Sequence, residues 1–294
     1  MQLFARLGKR PSLESIEESI FPGGIGTNDV IEVYGEDGVG KTQLLLHLVA
    51  NCILPKSLED VEIGGLECGV VFIDADYQLS MIRLVSLMEA RIHSIKRGNG
   101  DKLKHIKVEQ TIQTCLERLH IIKCNNSSEL VLSLFSVETL LASKPNISIM
   151  MIDSISAFYY MDRGIGEGNS HQEANQRNVA KAIEKLTSSF KIAVMVSKLA
   201  LFKKRGKTSD LDRSPYFQDR SAESTTMVPE EHSEYLCSEW QKLVTHRLVL
   251  QKKNIPQTSE MRFSLSFKAV TGQQQKRTKD FTIYDKGLSF STDN

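Results

Sequence analysis

Hydrophobic positions along the chain alternate between two patterns. Short apolar runs rich in β-branched residues, typical of buried strands, are each followed by a segment whose apolar residues recur at helical spacing. Strands are predicted in this way at residues 30–34, 69–74, 119–123, 147–152 and 192–196. Because buried strands that alternate with amphipathic helices form a mostly parallel sheet covered on both faces, the pattern predicts an α/β fold.

The predicted helices each carry one apolar face. These faces consist of Leu44, Leu45, Leu46 and Leu48, then Met81, Val85, Met88 and Ile92, then Leu130, Leu134, Val137 and Leu141, and finally Val179, Ile183, Leu186 and Phe190. A polar stretch at 203–235 predicts a long loop. Short strands follow at 246–251, 262–270, 281–284 and 288–291, and we expect them to form an antiparallel extension of the sheet. The predicted organisation is an N-terminal segment and linker, 1–29, before one core, 30–294.

A glycine-rich turn joins the first strand to the first helix. It matches the P-loop pattern G-x-x-x-x-G-K-[ST] at every fixed position. Its residues are Gly35, Glu36, Asp37, Gly38, Val39, Gly40, Lys41 and Thr42. Glycines let backbone N–H groups turn inward around phosphate oxygens, and the positive end of the helix points at the same anion. We therefore predict a nucleotide site in which Lys41 reaches the β and γ phosphates and Thr42 ligates Mg²⁺.

Carboxylates at the ends of later strands are candidates for binding the metal ion and for orienting a water molecule. A P-loop needs a second carboxylate for its metal ion, and Asp153, after the fourth apolar run, is predicted to supply it. Asp76 follows the second strand and is the candidate for orienting a hydrolytic water, with Asp74 as the alternative. Asp76 and Lys41 are the candidate catalytic residues. For Asp76 to act as the base, its carboxylate must lie within hydrogen-bond distance of the attacking water.

Composition narrows the class of protein. The chain has 37 lysines and arginines against 36 aspartates and glutamates, so its net charge of +1 creates no global basic field for nucleic acid. Its five cysteines include no Cys-x-x-Cys pair, and its seven histidines lack metal-ligand spacing. The pattern argues against a zinc knuckle and favours free thiols in a reducing compartment. Without an apolar leader or membrane span in the sequence, we expect a cytosolic or nuclear protein.

Several classes of P-loop protein stay open. A guanine-specific GTPase carries an Asn-Lys-x-Asp element, which this sequence lacks, so adenine or no base discrimination is favoured. A small-molecule kinase would use an arginine-rich lid, and the Asp162-Arg163 pair or the basic cluster at 203–207 keeps that alternative open. A scaffold with an unused P-loop is a further alternative.

Taken together, these residues resemble the recombinase family of RecA and the eukaryotic Rad proteins. The resemblance covers about residues 20 to 290. It is carried by Gly23-Gly24-Ile25, by the P-loop extended through Gln43-Leu44, by Phe-Ile-Asp-Ala-Asp at 72–76 and by Met151-Ile152-Asp153-Ser154. More specific stretches at 52–57, 153–159 and 240–247 are similar to one recombinase paralogue of that family.

The resemblance implies a RecA-like core that binds ATP and Mg²⁺ and serves homologous-recombination repair of DNA double-strand breaks in the nucleus. It also implies a complex of recombinase paralogues, with the D-type paralogue as direct partner and nucleotide near a subunit interface. About 34 residues precede the P-loop, too few for the N-terminal helical DNA-binding domain of many family members. We therefore expect the ATPase core alone.

The sequence departs from the family at three places. Active recombinases end the second strand in Glu, where this chain has the shorter Asp76, and a polar Gln that senses the γ-phosphate is missing from 196–199. The Phe-x-x-Ala self-assembly motif is absent from residues 1–30. We therefore expect weak or no ATP hydrolysis, a weakened relay from ATP to DNA, and no self-polymerisation.

Two loops face single-stranded DNA in the family. The first corresponds to residues 160–170 and the second to 203–220, which holds six basic residues against three acidic ones, with Tyr216 and Phe217. Such a segment can track phosphates and stack on bases. Residues 221–234 turn acidic, so contact with single-stranded or branched DNA and a solvated loop are both open.

Overall fold

The computed structural model describes residues 9–98, 103, 105–164, 170–201, 234–253, 262–270 and 277–291. The strands are β1 Val30–Gly35, β2 Ser57–Leu58, β3 Val61–Glu62, β4 Gly69–Asp74, β5 Leu119–Lys123, β6 Ile147–Asp153, β7 Ala193–Leu199, β8 His246–Lys253, β9 Arg262–Ala269, β10 Arg277–Tyr284 and β11 Gly287–Phe290. The helices are α1 Lys41–Ile53, α2 Met81–Gly98, α3 Val108–Leu116, α4 Ser127–Ser143, α5 Tyr159–Gly164, α6 Ser170–Phe190 and α7 Ser238–Leu243.

Nine strands form one sheet in the order β11-β10-β9-β8-β1-β7-β6-β4-β5, and β2 pairs with β3 separately. From β8 to β5 every neighbouring pair is parallel, while β8-β9, β9-β10 and β10-β11 are antiparallel. The predicted α/β fold with an antiparallel C-terminal extension is confirmed. The extension starts one strand later than expected, because β8 runs parallel to β1 and the first antiparallel pair is β8-β9.

Two layers of helices bury the faces of the sheet. On one face, α1, α2 and α3 pack on the first hydrophobic core, and on the other α4, α6 and α7 pack on the second. Along β4, Val70 and Phe72 point into the first core while Val71 and Ile73 point into the second. Because successive strand side chains alternate between faces, a strand buried on both sides is an unbroken apolar run.

Residues 9–29, expected to be part of a linker, pack against the core. The apolar side chains of this stretch belong to the first hydrophobic core and are Leu13, Ile16, Ile20, Phe21 and Ile25. Arg10 is buried and donates hydrogen bonds to the carbonyl oxygens of Leu141 at 2.9 Å, Ile147 at 2.6 Å and Phe190 at 2.7 Å. The segment is therefore a layer of the fold rather than a tether.

The structure describes the predicted DNA-facing loops only in part. The start of the predicted loop at 160–170 is helical, as part of α5, and residues 165–169 lie outside the described residues. Residues 202–233, which include the whole of the second predicted DNA-facing loop, 203–220, also lie outside them. All five cysteines are free and buried. In the part of the chain that the structure describes, none of the helices combines the length and apolarity that a membrane span requires.

Candidate functional site

The glycine-rich turn connects β1 to α1 at the carboxyl edge of the parallel strands. Gly38 and Gly40 have φ values of 73° and 89°, a conformation that glycine adopts without strain. A Cβ atom on Gly40 would lie 2.7 Å from Ile283 Cδ1, and one on Gly35 would lie 2.7 Å from the carbonyl oxygen of Leu250. Close packing against the backbone of β8 therefore requires glycine at position 35, whereas the positive φ favours glycine at position 40.

Lys41 begins α1 and folds back over the turn. Its Nζ donates to the carbonyl oxygens of Gly35 at 3.0 Å and Glu36 at 2.6 Å. Burial lowers the pKa of Lys41, and the carboxylates of Asp37 and Asp153 oppose that shift. The ammonium group therefore lies inside the curve of the loop, where a phosphate oxygen could replace the carbonyl oxygens as its acceptor.

The two groups expected to hold Mg²⁺ are in direct contact. Thr42 Oγ1 donates to Asp153 Oδ2 at 2.7 Å, and Ser197 Oγ donates to the other carboxylate oxygen, Oδ1. A hydroxyl group that donates its proton still offers lone pairs to a cation, and Mg²⁺ prefers oxygen ligands. The residues present therefore fit a magnesium ion bound between the P-loop and β6.

A cleft of about 700 Å³ opens over these groups, within the usual range for small-molecule sites. Its lining includes Lys41, Thr42, Asp76 and Asp153, with apolar walls from Phe263 of β9 and Ile283 of β10. The cleft thus offers a cationic, hydroxyl-bearing end for phosphates and an apolar side for a base or ribose.

The β10-β11 wall of the cleft is held in place by Arg83 of α2. Its guanidinium donates to Gln43 Oε1 at 3.0 Å and to the carbonyl oxygens of Tyr284 and Asp285, both at 2.5 Å. These bonds connect α1, α2 and the β10-β11 turn. They fix the wall that contains Ile283 relative to the P-loop.

The two candidate bases occupy different positions. Asp76 lines the cleft, and burial raises its pKa, with repulsion from Asp153 and Asp74 adding to the shift. Asp74 is buried below the cleft, where its Oδ1 accepts a hydrogen bond from the backbone N–H of Gln78 at 3.0 Å. Asp74 Oδ2 has no hydrogen-bond partner among the described residues. Only Asp76 therefore faces the space where a water would attack, and its catalytic role stays a prediction.

A buried ionic cluster beside the site was not predicted. Glu32 and Lys198 are each 0% exposed, and their Oε2 and Nζ atoms lie 3.3 Å apart. Glu234 approaches Lys198 Nζ at 2.7 Å, Arg247 Nε approaches Glu32 Oε1 at 2.6 Å, and Trp240 Nε1 donates to Glu32 Oε2 at 2.8 Å. The available sequence signal was a charged residue inside each of two apolar strands.

The first predicted lid element of a kinase, Asp162-Arg163, does not lie over the cleft. Asp162 is buried, and its carboxylate accepts hydrogen bonds from Ser127 Oγ at 2.8 Å and Asn175 Nδ2 at 3.3 Å. Neither Asp162 nor Arg163 lines the cleft. The basic cluster at 203–207 lies outside the described residues.

Comparisons with known proteins identify the family of the chain. The Rad51 family profile matches residues 14–212. The mouse (Mus musculus) "DNA repair protein XRCC2" is 31% identical over 295 residues, which cover 98% of this chain and 95% of the mouse protein. The Arabidopsis thaliana "DNA repair protein XRCC2 homolog" is 26% identical over 258 residues, covering 76% of this chain and 69% of the relative. The Cricetulus griseus "DNA repair protein RAD51 homolog 3" is 28% identical over 144 residues, 47% of this chain and 38% of the relative.

Proposed function

This chain belongs to the Rad51 family, and from that premise we propose that it is an ATP-binding recombinase paralogue acting in homologous-recombination repair of DNA double-strand breaks. The family is one of nucleotide-binding recombination and repair proteins. We place the chain's work in the nucleus, inside a complex of recombinase paralogues whose direct partner is the D-type paralogue.

One observation carries the nucleotide part of the proposal. Lys41 and Thr42 of the P-loop meet Asp153, which is 111 residues beyond Thr42 in the sequence, in one cleft, with Thr42 Oγ1 2.7 Å from Asp153 Oδ2. The backbone N–H groups at the start of α1 and the Lys41 ammonium would bind the triphosphate, while Thr42 and Asp153 would hold Mg²⁺. The metal ion supplies charge neutralisation at the phosphates when bound.

The proposed role is architectural, with slow hydrolysis or none. Asp76 carries a shorter side chain than glutamate, and the segment 196–199 contains no glutamine. Tyr160, which lines the cleft, is 62% exposed, so its side chain is accessible to a neighbouring subunit. ATP bound near such an interface would stabilise the pair by mass action.

Thermal unfolding with and without ATP·Mg²⁺ tests this proposal. We expect ATP·Mg²⁺ at 100 times its Kd to add about 2.7 kcal/mol to the stability of the wild-type chain. Lys41→Ala should abolish that gain, because the triphosphate loses its ammonium partner. Lys56→Ala, which removes an exposed lysine beyond α1, is the matched control. The absence of any shift in the wild type, alone and with its partner, would contradict the proposal.

A second candidate function is a DNA-stimulated turnover ATPase. The observation that favours it is Asp76, a carboxylate that lines the cleft beside Asp153 and Lys41. This function predicts ATP hydrolysis that DNA accelerates and that Asp76→Asn abolishes while ATP affinity is kept. Phosphate release without DNA dependence, unchanged in Asp76→Asn, would exclude it.

A scaffold with an unused P-loop makes a different prediction. The wild-type chain and the Lys41→Ala variant would then recover the D-type paralogue equally in co-purification. Our proposal expects less partner and no nucleotide with Lys41→Ala. The same experiment therefore reports both the partner and the cofactor.

A further inference from the structure

A cluster of basic side chains lies at the end of α2. His93, Lys96 and Arg97 line an open depression of about 360 Å³. Lys96 Nζ donates to the carbonyl oxygen of Ile106 at 3.2 Å, so the backbone between the exposed residues His105 and Lys107 lies beside the end of α2. We refer to His93, Lys96, Arg97, His105 and Lys107 as the α2 patch.

The α2 patch concentrates positive charge in a chain that is almost neutral. Residues 91–107 contain six lysines and arginines and two histidines against one acidic residue, whereas the whole chain has 37 basic and 36 acidic residues. A local field of one sign attracts ligands of the opposite charge even when the net charge is close to zero.

No carboxylate of the described residues lies within 4.0 Å of a nitrogen atom of the α2 patch. The nearest acidic residues along α2 and α3, Glu89 and Glu109, form no such pair. Exposed cations elsewhere are of both kinds, since Lys185 and Lys253 each pair with a carboxylate at 2.6–2.7 Å whereas Lys181 and Lys242 pair with none of the described carboxylates. The patch therefore keeps its charge available for an external anion.

The α2 patch is remote from the nucleotide cleft. Arg91, which precedes it on α2, donates hydrogen bonds to Asn51 Oδ1 near the end of α1 and to the carbonyl oxygen of Gly64. Asn51 is ten residues beyond Lys41, or about 15 Å along the helix axis at 1.5 Å per residue. Because α2 also leads away from the carboxyl end of β4, the patch lies towards the opposite edge of the sheet.

We propose that the α2 patch binds the phosphate backbone of nucleic acid. Lys96 uses one of its three donors on Ile106, and Arg97 uses only Nε, on the carbonyl oxygen of His93 at 3.4 Å. The remaining donors can contact phosphate oxygens. Phosphate contacts carry no sequence information, and single and double strands both present a repeating phosphate backbone, so the patch binds both without sequence preference.

An acidic peptide is the competing ligand. Tight peptide recognition relies on an apolar anchor that fills a pocket, and the depression has only basic and imidazole side chains in its lining. A repeating phosphate chain needs no such anchor, because counterion release supplies its affinity. The chemistry therefore favours nucleic acid.

Fluorescence anisotropy with the full chain tests the proposal. The probes are a labelled single-stranded oligonucleotide and the corresponding duplex, titrated at several salt concentrations. We expect Arg97→Glu combined with Lys107→Glu to weaken binding of both probes at least about tenfold and to reduce the salt slope by about two. Lys181→Glu combined with Lys242→Glu, the same charge change at exposed lysines of α6 and α7, should stay within about twofold of wild type.

Three results separate the alternatives. Equal losses in the two double variants, at unchanged melting temperature, would overturn the proposal, as would the absence of wild-type binding at low salt. Competition by polyglutamate as effective as competition by unlabelled DNA would also overturn it, in favour of an acidic peptide. Lys41→Ala should leave DNA binding by the patch intact, so failure of the patch and failure of the proposed nucleotide function are distinguishable.

Discussion

Asp153 is the residue at which the two halves of the candidate site meet. One carboxylate oxygen accepts a hydrogen bond from Thr42 of the P-loop and the other from Ser197 of β7, and the residue is 2% exposed. A carboxylate held from both sides has one orientation before a metal ion arrives, which is the preorganisation that a binding site requires. Ser197 belongs to the same 196–199 segment that lacks the family's glutamine.

Glu17 gives the N-terminal segment a pH-dependent attachment. Its Oε2 lies 2.8 Å from His47 Nε2. Burial acts to raise the pKa of Glu17, but the hydrogen bond and charge of His47, with contacts to Ser19, outweigh it and lower the pKa. A carboxyl group whose pKa is lowered in the folded state stabilises the protein at pH values above its unfolded-state pKa. That stabilisation is lost as the pH falls through its folded-state pKa.

We therefore expect Glu17→Gln to reduce the free energy of unfolding by about 1 kcal/mol at pH 7. The difference in unfolding free energy between the variant and the wild type should shrink as the pH falls below 4.5, the ordinary pKa of a glutamate. Urea unfolding at pH 7, 5 and 3.5 measures it, with the exposed neighbour Glu18→Gln as control. A Glu17→Gln effect that is the same at all three pH values would contradict the assignment.

At the residue scale, the sequence predicted those site residues that belong to a contiguous motif or end an apolar run. The P-loop residues 35–42 form one contiguous motif, and Asp153 ends a visible apolar run. Ser197 and the Glu32–Lys198 pair became visible only in the structure, because their roles depend on β7 lying between β1 and β6. Strand order is a long-range property that the spacing of apolar residues does not contain.

Arg10 contacts three elements that are more than 130 residues away from it in the sequence. Its guanidinium donates to carbonyl oxygens of Leu141 in α4, Ile147 in β6 and Phe190 in α6. The two helices leave carbonyl oxygens without partners at their carboxyl ends, and the cation also complements their dipoles. Arg10 therefore attaches the N-terminal segment to the second layer of helices, while Leu13 and Ile16 attach it to the first core.

Replacing Arg10 tests whether this attachment carries stability. We expect Arg10→Ala to lower the free energy of unfolding by about 3 kcal/mol, because buried carbonyl oxygens lose charge-assisted hydrogen bonds. Denaturant unfolding measures the loss, and Lys9→Ala, one residue earlier and exposed, should stay within about 0.5 kcal/mol. A loss below about 1 kcal/mol for Arg10→Ala would show that water replaces the guanidinium.

Elements with strong periodicity were predicted and short ones were missed. The four long helices and the five parallel strands next to them follow from their apolar spacing. α5 and α7, of six residues each, span less than two turns, so they show too few repeats of a helical period to be recognised. Residues 1–29 were predicted to be an N-terminal segment and linker, and the packing of 9–29 on the core depends on contacts between residues distant in sequence, which apolar spacing does not report.

At the scale of the whole molecule, the two proposed functions lie towards opposite edges of the sheet. The carboxyl edge of the parallel strands collects Lys41, Asp76 and Asp153 around the cleft, as expected for open α/β sheets. The α2 patch lies towards the other edge. The net charge of +1 hides this division, because the basic residues of the patch are balanced by acidic residues elsewhere in the chain.

Calorimetric titration of ATP into the purified chain, with its partner present, tests the central claim most directly. The account predicts one nucleotide per chain in the presence of Mg²⁺, an affinity that falls at least about tenfold when EDTA removes the metal ion, and no measurable binding to Lys41→Ala. Lys56→Ala should bind as wild type does. Equal binding of ATP to Lys41→Ala and wild type, or none to either protein with Mg²⁺ present, would contradict it.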